Sequence, residues 1–131
     1  MKYSQTSNLP DKYVKYHPIK SVGYAFAGVF LAISREFSIK IQLVLGICVF
    51  TLAFWQNQLL LGFINFFLMA LVMSLEMINT AIELICDLVE PRTNPNVKII
   101  KDLAAGAVLV VALTWCLLIF WLFISIFLKL F

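Results

Sequence analysis

Charge is what this sequence has least of. Ten Lys and Arg with seven Asp and Glu make 13% of 131 residues, where a soluble domain carries roughly a quarter. Hydrophobic residues reach 63%, and the mean hydropathy is +0.97. A single domain of this length has too much surface for its volume to hide that much apolar area. A disordered chain and an ordinary soluble enzyme are thereby excluded. A net charge of +3 is too weak a balance for a polyanion, which excludes nucleic acid as a partner. Histidine is nearly missing; His17 stands alone, and no histidine-rich metal site can be built from it. Cys48, Cys86 and Cys116 are widely spaced and match neither a disulfide nor a metal pattern. They read as small apolar residues. No Ser-His-Asp set, P-loop or glycine-rich dinucleotide fingerprint occurs. There is no internal repeat, so the inverted-repeat plan of many transporters has no support.

What is present is long uncharged runs. Ile41–Leu75 contains 35 residues without Asp, Glu, Lys or Arg, and Leu103–Leu128 another 26. One membrane span needs about 20 apolar residues, so the first run is long for one helix and about right for two. Gln56, Asn57 and Gln58 lie near its middle, and consecutive amides are poor residents of hydrocarbon. A turn there gives spans near 39–55, 59–86 and 103–128. The second and third exceed a bilayer's thickness and are expected to tilt or extend beyond it. The expected fold is an all-α membrane protein with three transmembrane helices.

Orientation follows from the basic residues. Lys2, Lys12, Lys15, Lys20, Arg35 and Lys40 precede the first span. Arg92, Lys98 and Lys101 lie between the second and third, and only Lys129 follows. The positive-inside rule places the N-terminus and the 87–102 loop in the cytoplasm, with the amide turn and the C-terminus on the other side. The first 20 residues hold no apolar core of adequate length, so no cleavable signal is expected. Residues 1–16 read as a mobile tail. Residues 21–34 are uncharged but too short to span. This stretch reads as a helix lying at the cytoplasmic interface or equally as one packed on the bundle. Pro91 and Pro95, with Asn94 and Asn96, mark a loop.

The remaining polar residues are acids where acids are costly. Glu76, Asn79, Thr80, Glu83 and Asp87 recur at intervals of three and four, which puts all five on one helical stripe. A charge there costs up to about 3 kcal/mol if it faces lipid. It must therefore face a wet cavity, a cation or a partner, or else form a snorkelling, solvated helix end. A second cluster opens the third span. Lys101 and Asp102 precede Ala104, Ala105, Gly106 and Ala107, small residues that let helices approach closely. Lys101 is placed to meet a phosphate, and Asp102 suits a helix start; the plain alternative is a charged flank at a helix N-terminus. Glu36, before the first span, is a third candidate, or simply a surface charge. Carboxylates, an amide and a lysine at one interface suit metal-assisted phosphoryl transfer. Hard oxygen ligands favour Mg²⁺, which takes one or two carboxylates and completes its shell with water and phosphates. A further carboxylate can accept an alcohol's proton.

The sequence resembles the prokaryotic diacylglycerol kinase family, small membrane lipid kinases that include the undecaprenol kinases. Glu76-Met-Ile-Asn79-Thr80-Ala81-Ile82-Glu83 with Asp87 resembles the family's Glu-x-x-Asn-Ser/Thr-Ala-Ile-Glu signature. Lys101-Asp102 with Ala104–Leu109 resembles its second signature, Thr114-Trp115-Cys116 is similar to a further stretch, and Glu36 occupies the acidic position before the first span. The likeness covers roughly residues 17–125. It implies a kinase that moves the γ-phosphate of ATP to a membrane lipid hydroxyl, making phosphatidic acid from diacylglycerol or undecaprenyl phosphate from undecaprenol. Glu76 matches the general base, and Glu36 and Glu83 match the acids that hold Mg²⁺. Asn79 matches the amide that orders the site. Lys101 and Asp102 match nucleotide-contacting positions, and Tyr24 aligns with a nucleotide-side aromatic.

The resemblance further implies an amphipathic N-terminal helix, a homotrimer with active sites shared between subunits, and the bacterial inner (plasma) membrane. Two departures stand out. His17-Pro18 replaces a frequent Arg, which bears on a phosphate contact at His17, and Ala104-Ala105 replaces a frequent Gly-Ser. Two rival classes remain. A small transporter or channel subunit would also place acids in helices, yet needs no Lys101-Asp102 pair and asparagine at one face. A structural membrane subunit would explain the small residues and leave the acids unexplained.

Overall fold

Residues 18–130 are described in this computed structural model. They form four helices and no strand: α1 (Pro18–Arg35), α2 (Phe37–Trp55), α3 (Leu59–Val89) and α4 (Pro95–Leu130). The tail expected over 1–16 and the candidate His17 lie outside the described residues. The chain up to Leu31 belongs to one unit, and the chain from Ala32 onward to a second. α1 carries a short apolar helix, Ser21–Arg35, with Tyr24, Phe26 and Phe30 largely exposed along it.

In the second unit α3 lies against both α2 and α4. All three are long and apolar enough to cross a membrane, and the chain is a membrane protein. Burial makes the same point. Of the described side chains of α4 only Trp115 and Leu122 are buried, while Leu113, Leu117, Phe120 and Trp121 stand exposed. Apolar surface this extensive requires lipid or a partner chain over it.

The turn between α2 and α3 sits at the amides. Gln56, Asn57 and Gln58 return their backbone N–H groups to the carbonyls of Leu52, Phe54 and Ala53 at 3.0, 3.0 and 2.9 Å. These bonds satisfy carbonyls that the helix end would otherwise leave open. Asn57 takes φ 56°, a left-handed conformation that asparagine tolerates better than most residues. The polar run is thus both a dehydration problem avoided and a helix stop.

The loop expected over 87–102 is much shorter in the structure. α3 continues to Val89, Pro91 prevents further propagation, and α4 starts at Pro95. Asn94 caps α4, its Oδ1 accepting the Asn96 N–H at 2.9 Å and its carbonyl the Lys98 N–H at 3.1 Å. Proline at the first helical position suits this start, since it lacks an N–H that would otherwise be orphaned. Loss of hydropathy marks where hydrocarbon ends, and helices here run on past it.

Gly46 decides how closely α2 meets α3. A Cβ built on it collides with the side chain of Met69. Gly46→Val should therefore destabilise the bundle by about 1–3 kcal/mol through overpacking, read as a lowered thermal midpoint in detergent. An unchanged midpoint would show that Met69 yields at little cost.

Candidate active site

The acidic stripe lies on the face of α3 that also carries the buried Asn65, Met69 and Val72. Spacings of three and four carry that face onward through Glu76, Asn79 and Glu83. All three polar residues are half-buried. The Asn79 amide Nδ2 donates to Glu83 Oε1 at 3.1 Å. A carboxylate can only accept, so this bond fixes which end of the amide is the nitrogen. Asn79 Oδ1 is buried without a hydrogen-bond partner. Buried polar atoms are rarely left so, and the atom is a free hard-oxygen donor beside a carboxylate.

Glu36 terminates α1 and caps α2 only through its backbone. It is extended (φ −87°, ψ 118°), its N–H bonds the Ala32 carbonyl at 2.8 Å, and its carboxylate makes no cap hydrogen bond. α2 and α3 run antiparallel, with Ala53 beside Gly62 and Gly46 beside Asn65 and Met69. Continuing that register brings Glu36 level with residues 75–79 of α3. Neither Glu36 nor Glu76 has a side-chain hydrogen bond or ion pair among the described residues, and both are half-buried. Two half-buried carboxylates without a side-chain partner thus stand at one level of the bundle.

Asp87 and Lys101 join the two sequence motifs. Lys101 Nζ meets Asp87 Oδ1 at 2.6 Å, linking the end of α3 to the start of α4. One turn earlier on α4, Lys98 Nζ meets Asp102 Oδ2 at 2.7 Å. Both pairs face an open cavity of about 710 Å³ lined also by Glu90, Arg92, Thr93 and Asn94. Its lining is largely apolar and carries three basic side chains (Arg92, Lys98, Lys101) against three acidic ones (Asp87, Glu90, Asp102), so a phosphate here would compete with the acids for the lysines. Among the described residues no three His, Cys, Asp or Glu side chains converge as a metal cage. Magnesium needs none, since one or two carboxylates suffice when phosphates complete the shell. Glu83 with the orphaned Asn79 oxygen fits that requirement.

The structure thus gathers Asn79 with Glu83, and places Lys101 and Asp102 at one cavity. Tyr24 lies in the first unit, largely exposed. The cysteines are free, Cys86 buried and Cys48 and Cys116 exposed. Two features escaped the sequence reading: the Asp87–Lys101 pair and the burial of Asn65. An amide inside a charge-free span was the available signal for the second, because it demands a partner there.

Residues 23–124 match the model of the family described as Prokaryotic diacylglycerol kinase. The chain belongs to that family. It is 39% identical over 98 residues to a protein named diacylglycerol kinase from Synechocystis, covering 71% of this chain and 54% of the relative. It is 46% identical over 55 residues to a protein named undecaprenol kinase from Bacillus subtilis, covering 42% and 45% respectively. The chain spans about half the length of the curated relatives it matches. Family membership bears on both clusters at once, since Glu76–Asp87 and Lys101–Asp102 fall inside the matched residues.

Proposed function

We propose that this chain is an ATP-dependent lipid kinase that moves the γ-phosphate to the hydroxyl of a membrane lipid. The observation that supports this reading is that α3 carries the unpaired Glu76 and the Asn79–Glu83 pair with its orphaned oxygen on one face, and ends at a cavity lined by Lys98 and Lys101. Phosphoryl transfer asks for those parts: a proton acceptor, a place for a charge-neutralising cation, and positive groups that position phosphates.

Glu76 is the general base. It removes the proton of the lipid hydroxyl as that oxygen attacks the γ-phosphorus, and the bond to the bridging oxygen of ADP breaks. Glu83 and Glu36, with Asn79 beside Glu83, would hold Mg²⁺, which would supply charge neutralisation at the phosphates. Lys101 and Asp102 contact the nucleotide, and Tyr24 is proposed as a nucleotide-contacting aromatic from the family resemblance alone. His17 is proposed there as well, in place of the arginine common at that position. Lys101 is held by Asp87, and a nucleotide phosphate would offer it an alternative anionic partner. Lys101→Met should raise the KM for ATP about tenfold or more, the scale of a lost charge-assisted hydrogen bond, with the lipid KM little changed. Equal effects on both substrates would remove Lys101 from the nucleotide side.

The acceptor is a lipid with a primary hydroxyl at headgroup depth, diacylglycerol or undecaprenol. A site open to the bilayer separates acyl from prenyl tails weakly, because each methylene alters preference only modestly. The setting is the bacterial inner membrane with a cytoplasmic N-terminus, as the basic residues favour, and α1 lies along the cytoplasmic interface. A homotrimer with shared sites would cover the apolar faces that a single chain leaves open. Incubation with radiolabelled ATP and extracted bacterial lipid tests the reading. Label in an organic-soluble phospholipid or prenyl phosphate is the expected result; a transporter or structural subunit would leave it in the aqueous phase.

A further inference from the structure

Asn65 is the one polar residue buried among the described residues, at 1% exposure. Its Nδ2 donates to the Gly46 carbonyl of α2 at 2.9 Å, and its Oδ1 accepts the Trp115 indole N–H of α4 at 2.8 Å. Only one amide orientation satisfies both partners, because a carbonyl cannot donate and an indole N–H cannot accept. Trp115 is itself 3% exposed and packs with Met69 and Val72. One side chain therefore ties three helices together where water does not compete, and an apolar residue of that size would have packed without any such directional demand.

The position on α3 matters. Glu76 follows Asn65 by eleven residues and Glu83 by eighteen, close to whole numbers of turns, so all three share one face. The carboxylates lie about 16 Å and about 27 Å further along the axis. Met69, Val72 and their neighbours specify a face of α3 only by shape, which helix rotation degrades gradually. The two hydrogen bonds from Asn65 specify its rotation sharply. Turning α3 by about 10° moves a side-chain tip about 1 Å, and a displacement of that size at a reacting group can cost about a hundredfold in rate.

We propose that the Gly46–Asn65–Trp115 clasp is a positioning device: Asn65 sets the rotation of α3 and thereby aims the Glu76–Asn79–Glu83 stripe. What the stripe does rests on the lipid kinase reading; that the clasp sets α3 does not. Two measurements keep them separate. In the first, Asn65→Leu, Trp115→Phe and the double variant are compared by kcat, ATP KM and thermal midpoint. Asn65→Leu should lower kcat about tenfold to a hundredfold with the ATP KM within about twofold. The double variant replaces both hydrogen-bonding partners by apolar groups, a change that can be nearly neutral for stability. It should recover the midpoint and stay slow. Recovery of kcat in step with the midpoint would make the clasp purely structural and overturn the proposal.

The second measurement needs no catalysis. Cys86 of α3 and Ile100 of α4 line the same small apolar cavity. With Cys48 and Cys116 replaced by alanine, Ile100→Cys permits cross-linking to Cys86 by a short bifunctional thiol reagent in the folded protein. Asn65→Leu should change the cross-linking rate several-fold if the clasp holds α3 in register with α4. An unchanged rate would overturn the proposal even if the wild type proved to have no kinase activity. A changed rate in an inactive protein would keep the clasp and reject the kinase reading.

Discussion

Glu76→Gln should abolish phosphoryl transfer while leaving nucleotide binding largely intact. The substitution removes a proton acceptor and preserves shape. A positioned general base contributes typically about 10²–10⁴-fold, so the turnover lost should fall in that range. Glu76 carries no ion pair or hydrogen bond among the described residues, so no partner is orphaned by its neutralisation. It is half-buried on the same face of α3 as Val72, and glutamine has nearly the same shape, so the fold should be little changed while activity is lost. Retention of more than about a tenth of the wild-type rate, outside the range for a base, would remove Glu76 from that role.

The second large effect is expected in the response to magnesium. Glu83→Gln removes a hard anionic ligand while keeping a carbonyl oxygen that can still accept from Asn79 Nδ2, the donor to Glu83 Oε1 at 3.1 Å. The lost charge weakens a divalent cation site. The Mg²⁺ concentration for half-maximal transfer should rise by about tenfold or more, the scale of one lost charged contact, and saturating Mg²⁺ should restore part of the rate. Glu36→Gln should act in the same direction, because Glu36 comes level with the stripe from the neighbouring helix. An unchanged magnesium titration for both variants would defeat the ligand assignment. Glu76→Gln provides the contrast, since its defect should not be rescued by added metal.

The spans were legible because charge is so scarce that its few occurrences mark the borders. The amides at 56–58 showed where one uncharged run divides, and Asn57 in a left-handed conformation is the physical form of that division. The ends of α3 and α4 were not legible from the same signal. The uncharged run ends at Leu75 and the next begins at Leu103, yet helical hydrogen bonding continues to Val89 and resumes at Pro95. Candidate site residues were visible as acids at helical spacing, a local property of sequence. Their pairings were only partly visible. The Asn79–Glu83 bond spans four residues, so the spacing itself anticipates it. Lys101 meets Asp87 across the loop, and Asn65 meets Trp115 fifty residues away. Neither follows from any window along the chain, because the antiparallel register of α3 and α4 sets both.

Lipid phosphorylation is measured with the purified chain in mixed micelles with γ-labelled ATP and Mg²⁺. Diacylglycerol and undecaprenol are supplied separately at equal surface concentration, with Glu76→Gln as the control. Labelled phosphatidic acid and labelled undecaprenyl phosphate are expected from the wild type, with rates within about a hundredfold of each other, and neither product from the variant. A larger preference would show a site more selective than one open to the bilayer, and no transfer to either lipid by a folded wild-type chain would contradict the kinase reading.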